Sequence, residues 1–393
     1  MDQVVSEPSV IARPDAGIDS YAARGIDEGA QCPVNSYTEW DPLEEVIVGE
    51  VAGALIPVWD FIDEAAHSKE DYAEAYARQG QPAPAEEVEA ATRELREFVR
   101  ILKAEGVRVH RPAPMDHRRG YATPDWSWPS GYNCNNPRDV LLVIGNEIIE
   151  APTLRRGRIY EALAYRRLLR EYFAAGAKWT AAPKPQIADD LYDGDVGRPR
   201  RGEPLFLPEG VPVRYPHTEL EPCFDAADFM RCGRDIFYHR SFVTNQRGVD
   251  WLQRHLGPGF RFHEVDTRCR RPMHIDTTFV PLAPGKALVN PRMAPKLPAI
   301  LKKWDILWAP EPVPRKSAKS PFCFSSDWLS MNVFSIDPER VFVDSLQEEM
   351  LRKLRDWGFT PIPLPFQSVY PFGGGLHCCT LDVRRRGTLQ SYF

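Results

Sequence analysis

No run of apolar residues in this chain approaches the roughly 20 needed to cross a bilayer as a helix. The longest runs, such as Val140 to Ile144, have the length of a strand, so a helical membrane protein is excluded. Basic residues are not in excess: 49 Lys and Arg stand against 55 Asp and Glu, for a formal net charge of −6. With neither a basic surplus nor a basic block, nucleic acid is not an expected partner. No two cysteines have CxxC spacing, so no structural zinc site, and no metal, is expected. The eight cysteines (Cys32, Cys134, Cys223, Cys232, Cys269, Cys323, Cys378 and Cys379) follow no disulfide-scaffold pattern. The first 30 residues lack the basic start and apolar core of a secretory signal. Free thiols in a reducing cytosol are therefore expected, with residues 1–31 as a mobile tail.

The remaining composition, 43% hydrophobic and 26% charged, is that of an ordinary globular protein. The hydrophobic pattern repeats. Asp139 to Ile144 reads as a strand, Gly145-Asn146 as a turn and Glu147 to Glu150 as a second strand. An amphipathic helix over about 158–175 follows, with Leu168, Leu169 and Tyr172 on one face. Gly176 then suits a helix end, and Ala177 to Thr180 reads as a third strand. The same order returns from Cys223, with a strand over Phe224–Arg231, a strand over 235–238, a helix ending at Gly257 and an extended 260–265. It returns from His274, with a helix expected near 297–304, and again from Leu329, with a helix over Leu346–Trp357 and a strand over 360–364. A looser copy opens the chain, with strand 45–48, helix 86–105 and strand 107–110. Its missing strand is expected from Cys379–Val383 at the far end. Units of this kind bury their apolar faces only against neighbours. The expectation is one closed α/β domain over residues 32–393, built of five pseudo-symmetric ββαβ modules.

Reactive side chains recur at the start of the first strand of each unit: Asp139, then Asp225 and Asp228, then His274 and Asp276, then Ser325 and Ser326, then His377 and Cys378. In a pseudo-symmetric ring, equivalent positions converge at one end of the axis. A thiol beside an imidazole forms a nucleophile and base. Carboxylates around that thiol oppose its ionisation unless the ligand is a cation. Asp139, Asp225 and Asp276 therefore point to a guanidinium or amidinium, which carboxylates grip in bidentate fashion. Adjacent side chains on a strand face opposite ways, so only one of Cys378 and Cys379 is expected to face the pocket. The segment 186–216, rich in Asp, Gly, Pro and Arg, is a candidate cover.

Several long motifs resemble the glycine amidinotransferase family. They are Asn35 to Gly49, Glu221 to Phe229, Pro272-Met-His-Ile-Asp276, Trp328-Leu-Ser-Met-Asn332, Gly373-Gly-Gly-Leu-His-Cys378 and Leu381 to Tyr392. The resemblance covers about residues 32–393 and implies a five-bladed α/β propeller. It implies Cys378 as nucleophile, His274 as general acid and base, and Asp225 as the carboxylate paired with that histidine. Asp139 and Asp276 fall on the family's guanidinium-holding positions, Ser325 and Ser326 on the pair that holds the amino-acid end of the donor. Arg292, directly after Asn290-Pro291, falls on the arginine for the donor carboxylate. Met273 matches the residue that narrows the pocket beside the imidazole. Arg271 stands where glycine-using members resemble Asn, and its planar fork suits an acceptor carrying a carboxylate or phosphate.

The implied reaction is a ping-pong transfer of the amidino group of L-arginine, through an amidino-cysteine, to a small-molecule amine, with release of ornithine and no cofactor. Glycine, lysine, an aminocyclitol and a natural-product amine are all open as acceptor, and a homodimer is open as assembly. The rival readings are a deiminase-like hydrolase and a catalytically silent ring-shaped binding protein.

Overall fold

The computed structural model describes residues 32–314 and 320–393, and the expected tail over 1–31 lies outside them. Strand β1 (Leu43–Val48) alternates little and is buried along almost its whole length, as befits a strand covered on both faces. Two short helices follow, α1 (Phe61–Ala66), capped by Asp60, and α2 (Ala73–Ala77). Helix α3 (Ala85–Ala104) starts after Pro84, carries Glu86 and Glu87 in its first turn and Lys103 in its last, and buries Ala91, Leu95, Phe98 and Leu102. Strand β2 (Arg108–His110) then runs parallel to β1. A two-stranded ribbon, β3 (Tyr121–Ala122) with β4 (Ser127–Trp128), precedes the single turn α4 (Pro137–Val140).

Next come β5 (Leu141–Ile144), β6 (Glu147–Glu150), α5 (Arg166–Ala174) and β7 (Lys178–Ala181). The first part of the helix expected over 158–175 is instead two 3-10 turns, Arg156–Arg158 and Glu161–Tyr165. Arg158 is pinned there by Glu161 and Asp139, which fixes the backbone in tight turns. Strands β8 (Phe229–Cys232) and β9 (Asp235–Tyr238), helix α6 (Gln246–Leu256) and β10 (Arg261–Glu264) form the next unit. Its first strand is shorter than expected. Asp225 and the turn Ala226–Asp228 lie outside it, because the Asp225 backbone N–H donates to Thr244 Oγ1 and the Asp228 N–H to Asp225 O.

Strands β11 (Phe279–Ala283), β12 (Lys286–Val289) and β13 (Asp305–Trp308) follow. The helix expected near 297–304 is only a 3-10 turn, Ala299–Lys303. Pro298 stands at its N-cap and the backbone is already extended at Trp304, just before β13, which leaves five residues between them. Strands β14 (Phe334–Ser335) and β15 (Arg340–Asp344), helix α7 (Glu348–Asp356) and β16 (Thr360–Leu364) complete the last unit before β17 (Thr380–Arg385). The helices α3, α5, α6 and α7 each run out at a glycine with positive φ: Gly106, Gly176, Gly257 and Gly358.

Five three-stranded sheets result, in the orders β17-β1-β2, β5-β6-β7, β8-β9-β10, β11-β12-β13 and β14-β15-β16. Each pairs its first two strands antiparallel and its last two parallel. The first sheet does borrow its missing strand from the far end: β17 pairs antiparallel with β1, Leu381 opposite Ile47. The fold is mixed α/β, and residues Cys32–Phe393 form one compact unit. The sheets are separate from one another, with no single continuous closed sheet among the described residues. No helix among these residues is long and apolar enough to cross a membrane.

Candidate active site

The strand starts carry the polar side chains because each is preceded by one tight turn. Asp139 lies in α4, just before β5. Asp225 caps the turn Ala226–Asp228 before β8, and His274 caps Ile275–Thr277, which contains Asp276, before β11. Ser326 caps Asp327–Met331 before β14. Leu376 to Cys379 form the turn before β17. A turn directs consecutive side chains outward from the sheet end, so these residues meet in one place.

That place is a cavity of about 390 Å³. Of the sequence-predicted residues, Cys378, His274, Asp139, Asp276, Ser325, Ser326, Met273 and Arg271 line it. Cys378 Sγ donates to Asp276 Oδ2 at 3.1 Å. His274 Nε2 lies 3.2 Å from Asp225 Oδ2, and its Nδ1 lies 3.6 Å from Asp139 Oδ1. Ligand atoms of Asp139, His274 and Cys378 all fall within 4.8 Å of one another. Asp225 sits behind the imidazole and does not line the cavity. Asp228 is turned away, accepting from Ser241 and Thr244. Arg292 is half exposed and pairs with Glu311 at 2.7 Å, outside the cavity lining.

Cys378 and Cys379 do face opposite ways, although they occupy a turn and not a strand. Cys378 meets the cavity, whereas Cys379 packs in the hydrophobic cluster with Leu376 and Phe372. No disulfide is formed among the eight cysteines, all of which lie in the described residues.

Three residues of the site carried no expected role. Arg158 is buried and donates to Asp139 Oδ2 at 2.6 Å and to Glu161 at 2.7 and 2.9 Å. It holds one oxygen of Asp139, while Asp139 Oδ1 and Asp276 Oδ1 are buried without a hydrogen bond. His377 bridges Asp276 Oδ2 (3.0 Å) and Glu39 Oε2 (3.3 Å). Asn332 touches the sulfur of Cys378. The available signals were the arginine-rich Arg155-Arg-Gly-Arg158 directly after a strand and the polar Asn332 closing an apolar motif.

Charge and burial set the protonation states. Burial, then the charge of Asp276, push the Cys378 thiol up to about 12. For His274, burial opposes the charged form, but the charge of Asp139 and the bond to Asp225 outweigh it and raise its pKa well above the ordinary value. Asp276 is pulled down to about 2: burial works the other way, yet its bonds to His377 and Cys378 and the two imidazoles prevail. The site thus holds a thiol, an imidazolium and carboxylates, two of whose oxygens accept no hydrogen bond, a setting that favours a planar cation.

A cysteine, a histidine and carboxylates arranged around room for a cation define a nucleophilic group-transfer or hydrolytic enzyme. Comparison with known proteins narrows this class. No protein-family model matches the chain. It is 45% identical over 361 residues to the L-arginine:L-lysine amidinotransferase of Pseudomonas savastanoi pv. phaseolicola, covering 92% of this chain and 96% of that protein. It is 45% identical over 366 residues to the mitochondrial glycine amidinotransferase of Gallus gallus, covering 92% and 85%. Among solved structures it is similar to SxtG, an amidinotransferase of the saxitoxin biosynthetic pathway from Microseira wollei, with 53% identity, a TM-score of 0.85 and coverage of 92% and 100%. The chain belongs to the amidinotransferase family and is an enzyme of that family.

Proposed function

We propose that this enzyme moves the amidino group of L-arginine to an acceptor amine through a covalent amidino-Cys378, releasing ornithine. The observation that carries this reading is the buried Cys378 sulfur beside Asp276 and His274, with one oxygen each of Asp139 and Asp276 free of hydrogen bonds in the same cavity. The guanidinium of arginine takes those oxygens. Its positive charge offsets the carboxylates that hold the thiol protonated, so the thiolate forms where the electrophilic carbon sits. Sulfur attacks the guanidino carbon, and the C–N bond to ornithine breaks as His274, oriented by Asp225, protonates the leaving nitrogen. The proton count closes with ornithine leaving as an ammonium, which takes one proton from the His274 imidazolium and one from the thiol. In the second half His274 takes a proton from the acceptor amine, which attacks the amidino carbon and expels the thiolate.

Ser325 and Ser326 are suited to the amino-acid end of the donor. Arg292 is directed to Glu311, so the donor carboxylate is better served by another arginine lining the cavity, Arg155 or Arg200. Water exclusion falls to the segment 186–216, of which Arg200, Gly202, Glu203 and Leu205 line the cavity. The five sheets of like order, with β17 completing the first, support a five-bladed propeller with the site at one end of its axis. The free cysteines support a reducing compartment such as the cytosol. The acceptor differs even among relatives of equal identity, one named for lysine and one for glycine.

Incubation with arginine alone, read by mass spectrometry, tests the reading. One amidino group should appear on wild type and on Cys379→Ala, and none on Cys378→Ala. An adduct on Cys378→Ala would overturn the assignment of the nucleophile. Citrulline accumulating without any added amine, as fast as ornithine does with one, would make the enzyme a hydrolase instead.

A further inference from the structure

The side chain of Asn332 is spent entirely on the nucleophile turn. Its Oδ1 accepts the backbone N–H of His377 at 2.8 Å and of Cys378 at 3.0 Å, and its Nδ2 donates to Cys378 Sγ at 3.2 Å. The amide orientation is dictated by this network. Flipped, its NH₂ would face two backbone N–H donors and its oxygen would face the sulfur, losing every bond. Asn332 is 2% exposed. Crowding holds it in place: a Cβ on Gly375 would lie 2.8 Å from Asn332 Oδ1, so a glycine is required there.

The sulfur therefore lies among unlike partners: the acceptor Asp276, the amide of Asn332 and the His274 imidazole, which also bonds it. Asp276 Oδ2, at 3.1 Å, accepts from the thiol and favours the protonated form. Asn332 Nδ2 donates and favours the thiolate. When a guanidinium engages Asp276 Oδ1, its charge weakens the hold of Oδ2 on the thiol proton, whereas the amide donor stays fixed by its two backbone bonds. The same donor meets the sulfur again when the thiolate leaves the amidino group.

We propose that Asn332 is a catalytic residue whose amide N–H stabilises the negative charge on Cys378 Sγ in both half-reactions. The inference rests on Cys378 being the nucleophile. It goes beyond the pairing of thiol and imidazole, because it assigns the charge stabilisation to a neutral donor that substrate binding does not displace.

Two variants separate the donor from the clamp. Asn332→Asp is isosteric and keeps an oxygen for the two backbone N–H groups, while Asn332→Ala removes both functions. Alkylation of Cys378 by iodoacetamide, followed against pH by peptide mass, reads thiolate formation without substrate. Both variants should slow alkylation of Cys378 at each pH below about 10 by about tenfold or more, the fall in thiolate fraction expected from losing a hydrogen bond to a charged group. The kcat of each should fall by about tenfold or more, with the KM for arginine changed far less, since Asn332 is absent from the cavity lining. A folded Asn332→Asp with the wild-type alkylation profile would overturn the proposal, and so would a loss of kcat without a profile shift, which marks a purely structural role. Failure of wild type to form the amidino adduct would sink the reading of the reaction instead, and the alkylation profile would still judge Asn332.

Discussion

Arg271 lines the cavity two residues before Met273 and pairs through Nη2 with Glu203, which lies in the covering segment. Glu203 also pairs with Arg270 at 3.4 Å. An acceptor bearing a carboxylate or phosphate would compete with Glu203 for the planar fork of Arg271. Arg271→Asn should then raise the KM of the native acceptor by about tenfold, the loss of one charge-assisted contact, and leave formation of the amidino-enzyme from arginine unchanged. An acceptor screen on both proteins checks this. Glycine as the best acceptor of wild type, or an unchanged preference in the variant, would contradict it. Reactive residue types at repeating positions were legible in the sequence, so Cys378, His274, Asp139 and Asp276 meet as expected. Arg158, His377 and Asn332 were not, because their roles depend on partners across the fold: Asn332 lies 46 positions from Cys378 and His377 lies 338 from Glu39. Arg292 was placed by its motif alone, and its side chain follows a nearby carboxylate, Glu311, away from the cavity.

At the scale of elements, the tight turns before the strands set catalytic geometry, and the turn at Gly373–Cys378 has the least room. A Cβ on Gly374 would stand 2.4 Å from Cys378 Cβ, 2.8 Å from Asn136 Oδ1 and 3.2 Å from Cys378 Sγ. Gly374→Ala must therefore displace the nucleophile. Adduct formation should slow by on the order of a hundredfold, the cost of about 1 Å of misplacement, and stability should fall by about 1–3 kcal/mol from overpacking. Gly176→Ala is the control, since no atom lies within 4 Å of its Cβ and only its positive φ is strained. It should lose about 1 kcal/mol and keep its adduct rate. Equal adduct rates in the two variants would refute the steric argument. Helices followed by glycine were legible from periodicity, and α3 and β16 lie within a residue of expectation. The turns themselves were not, since a turn of three residues has no period to read, and only five residues separate Pro298 from the extended Trp304 where a helix was expected near 297–304.

At the scale of the whole molecule, one buried ionic network joins strands of three sheets with the turns that lead into the other two. Asp382 on β17 pairs with Arg138 on α4, with Arg231 on β8 at 2.5 Å and with Arg385 at 2.6 Å. Glu39 meets Arg231 at 2.8 Å and Arg138 at 3.3 Å, and Arg385 reaches Ser335 O on β14. Through His377 the network continues to Asp276 before β11, and so to the nucleophile. Its signal in the sequence is a charge inside an apolar strand, as in Phe229-Met-Arg-Cys232, but the partners lie too far apart to be matched by spacing. Removing one partner leaves buried charges unpaired, so Asp382→Asn should cost about 3–5 kcal/mol at pH 7. The pH dependence follows from the carboxyl. Burial raises its pKa, but Arg138, Arg231 and Arg385 outweigh burial and hold it well below the ordinary 3.8. A depressed pKa contributes stability that is fully present above the unfolded value and is lost as pH falls through it toward the folded one. Wild type should therefore lose stability steeply below about pH 4, and Asp382→Asn, already weaker at pH 7, should lose less over the same range. Urea unfolding of both proteins at pH 7 and through the acid range measures this. Parallel losses would show that the acid sensitivity resides elsewhere, and an undiminished stability at pH 7 would show that the network does not hold the sheets together.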